Sequence, residues 1–212
     1  MLLLNHPYLL SFFHGTLLCR FIAVEKGFLS FVQLAYEKHP ACISETCTAD
    51  GGLTPLDVSI LFKKAQITKL LLSLGVSSNS MCIQENLPIA FLAVREGNVH
   101  AFQLLIEFGA DLHYRVNDRN VVYYIVQKGL VDAFFVYKSC VSFDVNASVG
   151  LAEENIRPLH VAAMFDHPHF VSLFISMGAD MFATNALQQT ALDIAKEVQA
   201  KRAELALLSY LR

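Results

Sequence analysis

The sequence predicts an all-α protein, a solenoid of stacked helix-turn-helix units joined by turns and long loops, with helical caps at its N- and C-termini. Three observations carry that prediction. Similar segments recur at a near-constant spacing, glycines stand where helices must stop, and apolar triplets mark helices buried on two sides. Phe21–Gly27 ("FIAVEKG") aligns with Phe91–Gly97 ("FLAVREG"). Leu70–Ser77 aligns with Leu104–Asp111 and Leu173–Asp180, and Leu53–Ile60 aligns with Arg157–Met164 and Gln189–Lys196. Anchored at the position of Thr54, the units begin at Leu18, Thr54, Pro88, Asn120, Arg157 and Thr190, with gaps of 36, 34, 32, 37 and 33 residues. A period of 20–50 residues is the mark of a repeat architecture.

Composition permits a large core and narrows the function. Hydrophobic residues make up 54% of 212 positions and charged ones only 17%. No run reaches the ~18–20 uninterrupted apolar residues a membrane span needs. The nearest, Met1–Cys19, is broken by His6, Pro7, His14 and Gly15. It also lacks the basic start and small-residue cleavage site of a signal peptide, so a buried capping helix is expected there. A net charge of −3 with no lysine–arginine cluster argues against nucleic-acid binding. Five cysteines, odd in number and without a C-x-x-C pair, fit free thiols in a reducing cytoplasm. Asn146-Ala147-Ser148 matches a glycosylation acceptor, a tripeptide too common to weigh without a secretion signal.

Each recurring residue type has a physical job. A proline or small residue after the anchor starts the first helix where a missing N–H is harmless, and the hydroxyls of Thr54 and Thr190 can cap it. Leu56, Leu159 and Leu192 follow on the buried face, and small residues such as Ala93, Ala162 and Ala163 let neighbouring helices approach. Glycine nine places after the anchor (Gly27, Gly97, Gly129) ends the first helix in a left-handed conformation. Leu70–Leu72 and Leu104–Ile106 make the second helix apolar on two sides, as stacking requires. Glycine twenty-one places on (Gly75, Gly109, Gly178) ends that helix.

These residues resemble the ankyrin repeat. "TPLD" at Thr54, "RPLH" at Arg157 and "TALD" at Thr190 are similar to its T-P-L-H signature, and Gly109 and Gly178 open its G-A-D. The resemblance implies a β-turn plus two helices per unit and six units, at about 13–47, 48–82, 83–114, 115–150, 151–184 and 185–212, in one repeat domain. The first, third and fourth units depart from T-P-L-H, and Val141 replaces the closing glycine of the fourth.

His160, His167 and His169 fall within ten residues and suggest a metal site. The resemblance implies instead that His160 hydrogen-bonds backbone, a role Asp57 and Asp193 can share. His167 and His169 are expected as solvated loop side chains without a third or fourth ligand nearby. Cys140 with His160, or Cys47 with Asp50, could be imagined as an assisted thiol, but half-buried structural thiols are the expectation. With no phosphate loop and no nucleophile elbow, neither an enzyme nor a cofactor or metal site is expected in this chain.

The expected function is a non-catalytic protein–protein interaction scaffold. The resemblance implies that positions seven and eight after each anchor line a concave groove. Leu61, Phe62, Arg95, Glu96, Gln127, Lys128, Met164 and Phe165 are therefore candidate partner contacts. Two of these pairs are large and apolar: Leu61/Phe62 and Met164/Phe165 either meet a partner or pack under the loops 77–86 and 146–155. Arg115, Asp118 and Arg119 on the loop 114–120 complete the candidates. The partner is expected to be a protein or peptide of mixed charge bound by a cytoplasmic monomer. The alternatives are the recognition part of a larger enzyme, or of an effector that a bacterium secretes into a host cytoplasm.

Overall fold

A computed structural model describes residues 17–38, 46 and 52–211. The expected N-terminal capping helix, the Leu18 side chain, and Cys47 with Asp50 lie outside these described side chains. Residues 1–110 and 111–212 form two compact units, each taken separately below.

In the first unit, helices come in pairs: α1 (Leu17–Lys26) with α2 (Leu29–Lys38), α3 (Pro55–Leu61) with α4 (Ala65–Ser73), and α5 (Ile89–Arg95) with α6 (Val99–Glu107). Between the second and third pairs, β1 (Met81–Cys82) and β2 (Leu87–Pro88) make an antiparallel hairpin, Cys82 opposite Leu87. The second unit holds α7 (Val121–Gln127) with α8 (Val131–Cys140), α9 (Pro158–Met164) with α10 (Pro168–Ser176), and α11 (Ala191–Glu197) with α12 (Lys201–Ser209). Within each unit, first helices pack on first helices and second helices on second helices.

The core follows the repeat. Leu56, Ile60, Ile67, Leu71, Leu92 and Leu105 are fully buried in the first unit, and Ile125, Phe134, Phe170 and Phe174 in the second. Phe134 meets Phe170 and Phe174 edge-on at 5.8 and 5.3 Å between centroids, the arrangement ring quadrupoles favour.

The start and stop signals act through hydrogen bonds. The Thr54 hydroxyl accepts from the Asp57 N–H (3.1 Å), while the Asp57 carboxylate accepts from the Thr54 N–H (2.7 Å) and hydroxyl (2.8 Å). Thr190 and Asp193 repeat this capping box. Asn120 caps α7 with its side chain, which accepts from the Tyr123 N–H at 3.1 Å.

The stop after each first helix is left-handed in all six repeats. Gly27, Gly97 and Gly129 occupy it as expected, with φ of 85°, 62° and 70°. Lys63, Asp166 and Gln199 adopt the same geometry at 55°, 55° and 58° where no glycine stands. An ordinary residue there costs about 1–2 kcal/mol, which the surrounding pair of helices can impose.

Four of the loops that follow a second helix share a recurring lock. The side chains of Ser77, Asp111, Asp144 and Asp180 each accept a hydrogen bond from the N–H two residues on, at 3.2, 2.8, 2.8 and 2.9 Å. Val141 takes an extended conformation, so α8 closes without a left-handed residue. Asp144 then performs the turn one place later than its counterparts.

Candidate partner-binding surface

Among the described residues no three histidine, cysteine or carboxylate side chains are grouped as metal ligands would be. In the second unit His160 is 1% exposed. Its Nδ1 accepts from the Arg157 N–H at 3.1 Å, which leaves the proton on Nε2 to donate to the Ala183 carbonyl at 3.0 Å. Burial holds its pKa below the ordinary 6.5; the Ala183 carbonyl opposes that shift and Arg157 adds to it. His160 therefore braces its own helix start and the next turn as a neutral ring. His167 is not a solvated loop residue: Nε2 lies 3.1 Å from the Gln127 carbonyl, against Gly129 of the preceding repeat. His169 is exposed. In the first unit Asp57 is buried beside Cys82, and burial raises both its pKa and that of the thiol.

The register of the candidate groove positions is uniform. Leu61, Arg95, Gln127, Met164 and Glu197 are each the last residue of a first helix, and Phe62, Glu96, Lys128, Phe165 and Val198 the cap after it. Their surroundings differ. In the first unit Leu61 is half-buried and Phe62 is 49% exposed. Arg95 is held between Glu85 of the hairpin tip and its neighbour Glu96, Nε lying 2.9 Å from Glu96. The hydrogen bond and charge of Arg95 hold the Glu85 carboxyl below its usual range. Arg95 and Glu96 thus fasten a turn to a helix end.

In the second unit the turns form three fingers. Val116 and Arg119 pair through two 3.0 Å backbone hydrogen bonds, with Asn117 and Asp118 both at positive φ, a two-residue hairpin turn. The Val149 N–H donates to the Ile156 carbonyl (2.8 Å), closing the second finger, and the Asn185 N–H to the Gln189 carbonyl (3.0 Å), closing the third. Adjacent fingers are joined. The Asn120 N–H donates to the Val149 carbonyl, Arg115 Nη1 to the Gly150 carbonyl, and the Ala186 N–H to the Glu154 carbonyl, each at 3.0 Å.

Arg119 lies 4.1 Å above the Tyr123 ring, its Nη2 3.6 Å from Glu154. Tyr123 meets Phe165 edge-on at 6.2 Å and Tyr124 at 5.5 Å. The Tyr124 hydroxyl donates to the Val116 carbonyl at 2.9 Å. Burial raises the Tyr123 pKa, with Arg119 pulling it down. Phe165 and Met164 are consequently half-buried, unlike Phe62. Asp118, Arg115 and Lys128 are exposed, as are the apolar side chains of Leu187 (76%) and Leu151 (37%). Sequence reasoning missed Tyr123, which fills the slot that His160 occupies in its own repeat. The "YY" at the third and fourth places after the anchor was the available signal.

Paired helices with hydrogen-bonded turn fingers define a helical-repeat protein. The ankyrin repeat family model matches residues 156–186. A 42-residue stretch, 20% of this chain and 7% of the relative, is 52% identical to Protein fem-1 homolog C of Danio rerio. A 105-residue stretch is 27% identical to transient receptor potential cation channel subfamily A member 1 of Drosophila melanogaster, covering 49% of this chain and 9% of that protein. The chain thus spans less than a tenth of the length of these relatives. Among solved structures, a chain of the Bd0816 predatory endopeptidase from Bdellovibrio bacteriovorus in complex with immunity protein Bd3460 superposes with a TM-score of 0.71. It shares 22% identity and covers 90% of this chain and 96% of that one, a likeness of fold. Residues 156–186, which hold the α9–α10 pair, are therefore an ankyrin repeat within this helical-repeat chain. None of its described helices is long and apolar enough to cross a membrane.

Proposed function

We propose that the chain is a non-catalytic binding module that holds a partner protein or peptide through its turn tips and the ends of its first helices. The observation that carries the proposal is the contrast within the three fingers of residues 111–212. Their bases are locked to one another by backbone hydrogen bonds, while Leu187, Leu151 and Asp118 point outward unused. Rigid presentation of unpartnered side chains lowers the ordering cost of association. The polar groups best suited to chemistry support the non-catalytic reading, because His160, His167 and Asp57 are each taken up by structural contacts. The small share of each curated relative that is matched favours a recognition segment within a larger protein as the second reading.

The test is an affinity capture from cell extract with native protein and with Arg119→Glu/Leu187→Asp, both of equal helicity and melting temperature. A protein retained by the native form and lost by the variant supports the finger surface. No protein retained specifically by the native form would refute the binding-module reading.

A further inference from the structure

The first unit carries an exposed surface that the fold does not use. Phe28 is 59% exposed and Phe62 49% exposed, each at the turn between the two helices of its repeat. The turns are neighbours. The Lys64 side chain lies across Gly27, close enough that a Cβ on that glycine would meet its Cδ at 3.4 Å and its Nζ at 3.6 Å. Lys63, between Phe62 and Lys64, is exposed and has a left-handed backbone. Among the described residues no carboxylate lies within 4.0 Å of Lys63 or Lys64, whereas Lys26 pairs with Glu25 at 2.7 Å and Arg95 with Glu85 and Glu96. Lysines after a helix C-terminus suit its dipole, but that placement gives no reason for two phenylalanines left in water beside them.

Resting on the binding-module reading, we propose that Phe28, Phe62, Lys63 and Lys64 form a docking surface for an acidic segment of a partner protein that carries an aromatic or aliphatic side chain. Among the described residues the lysine ammonium groups have no carboxylate partner, and they would receive the carboxylates of the segment. The two rings would cover the apolar side chain, removing from water the large apolar groups that a monomer rarely leaves together. An anionic membrane is the weaker fit: recognition of that kind takes clusters of about 4–8 basic residues, and two lysines stand here.

A displayed library of random peptides, selected on the whole chain, tests this. Enriched peptides should be acidic with an aromatic or aliphatic residue, and their affinity by fluorescence anisotropy should fall as salt rises. Lys63→Glu/Lys64→Glu and, separately, Phe62→Ser should each weaken them at least about tenfold, with helicity and melting temperature unchanged. Enriched peptides that are not acidic, or that bind these variants as tightly as native protein, overturn the proposal. If binding is lost only in Arg119→Glu/Leu187→Asp, the docking surface fails while the binding-module reading stands. Failure to enrich any peptide, with phosphatidylserine-rich vesicles bound instead, overturns it as well.

Discussion

Replacing His160 separates a structural brace from a metal ligand. In His160→Ala the Arg157 N–H loses its acceptor and the Ala183 carbonyl its donor, at a site 1% exposed. Each of the two buried groups left unsatisfied costs about 1–3 kcal/mol, so the expected loss is about 2–6 kcal/mol. Asparagine places its amide oxygen near the position of Nδ1 and can still accept from Arg157, but it is too short to reach Ala183. His160→Asn should therefore lose only about 1–2 kcal/mol. The pH dependence has a definite sign. The fold favours the neutral ring, so the folded pKa lies below 6.5 and the unfolded chain takes up the proton first as pH falls. The contribution is complete above about pH 6.5 and declines below it, by up to about 1.4 kcal/mol per pH unit until the folded pKa is reached. Urea melts at pH 7.5 and pH 5.5 would measure both effects, and the native protein should lose more on acidification than His160→Asn. Equal losses in the two proteins would refute the neutral-brace argument. So would stoichiometric zinc that stabilises the native protein and not the variant.

Three further changes probe the frame. Leu105 is completely buried in α6, so Leu105→Ala removes the transfer energy of three side-chain carbons and leaves a cavity. About 2–5 kcal/mol should be lost in a urea melt; a loss under about 1 kcal/mol, as at a surface site, would place the residue outside the core. Gly129→Ala combines a φ of 70° with a Cβ 2.8 Å from Cε1 of His167. It should cost more than about 2 kcal/mol and weaken the His167–Gln127 bond, which the His167 imidazole shifts in an NMR spectrum would report. Asn146 donates to the Gly178 carbonyl at 3.1 Å and accepts from the Asp180 N–H at 2.9 Å. Asn146→Ala should lose about 1–3 kcal/mol in thermal or urea unfolding, while exposed Asp132→Ala (outside any such bridge) changes little.

The repeat frame was legible because its signals are local. Thr54, Thr190 and their aspartates announce capping boxes, and the seventh and eighth positions, chosen through the resemblance, fall at the same place, the end of the first helix, in five successive repeats. What escaped the sequence depends on partners far along the chain. His167 reads as a loop histidine beside Pro168 until the Gln127 carbonyl, forty residues earlier, is brought to it. Phe165 reads as the twin of Phe62, yet an aromatic at position 123 gives it a ring to pack on. Lys63, Asp166 and Gln199 carry no sequence mark of a left-handed backbone, since the helices on either side dictate it.

The irregularity of the repeats has a physical reading. Three places after the anchor, the chain has Asp57, Phe91, Tyr123, His160 and Asp193 in successive repeats. Where the residue is polar, it returns a hydrogen bond to its own helix start. At Tyr123 the anchor N–H that such a residue would satisfy, that of Asn120, donates instead to the Val149 carbonyl, which frees the slot for an aromatic ring. The ring then supports Arg119 on its face and Phe165 at its edge. Loss of T-P-L-H in that repeat therefore leaves the helix cap at the anchor and converts a structural brace into an arginine-bearing platform beside the fingers. Degeneracy of this kind is what a scaffold needs if backbone demands are to stay fixed while its exposed chemistry changes from repeat to repeat.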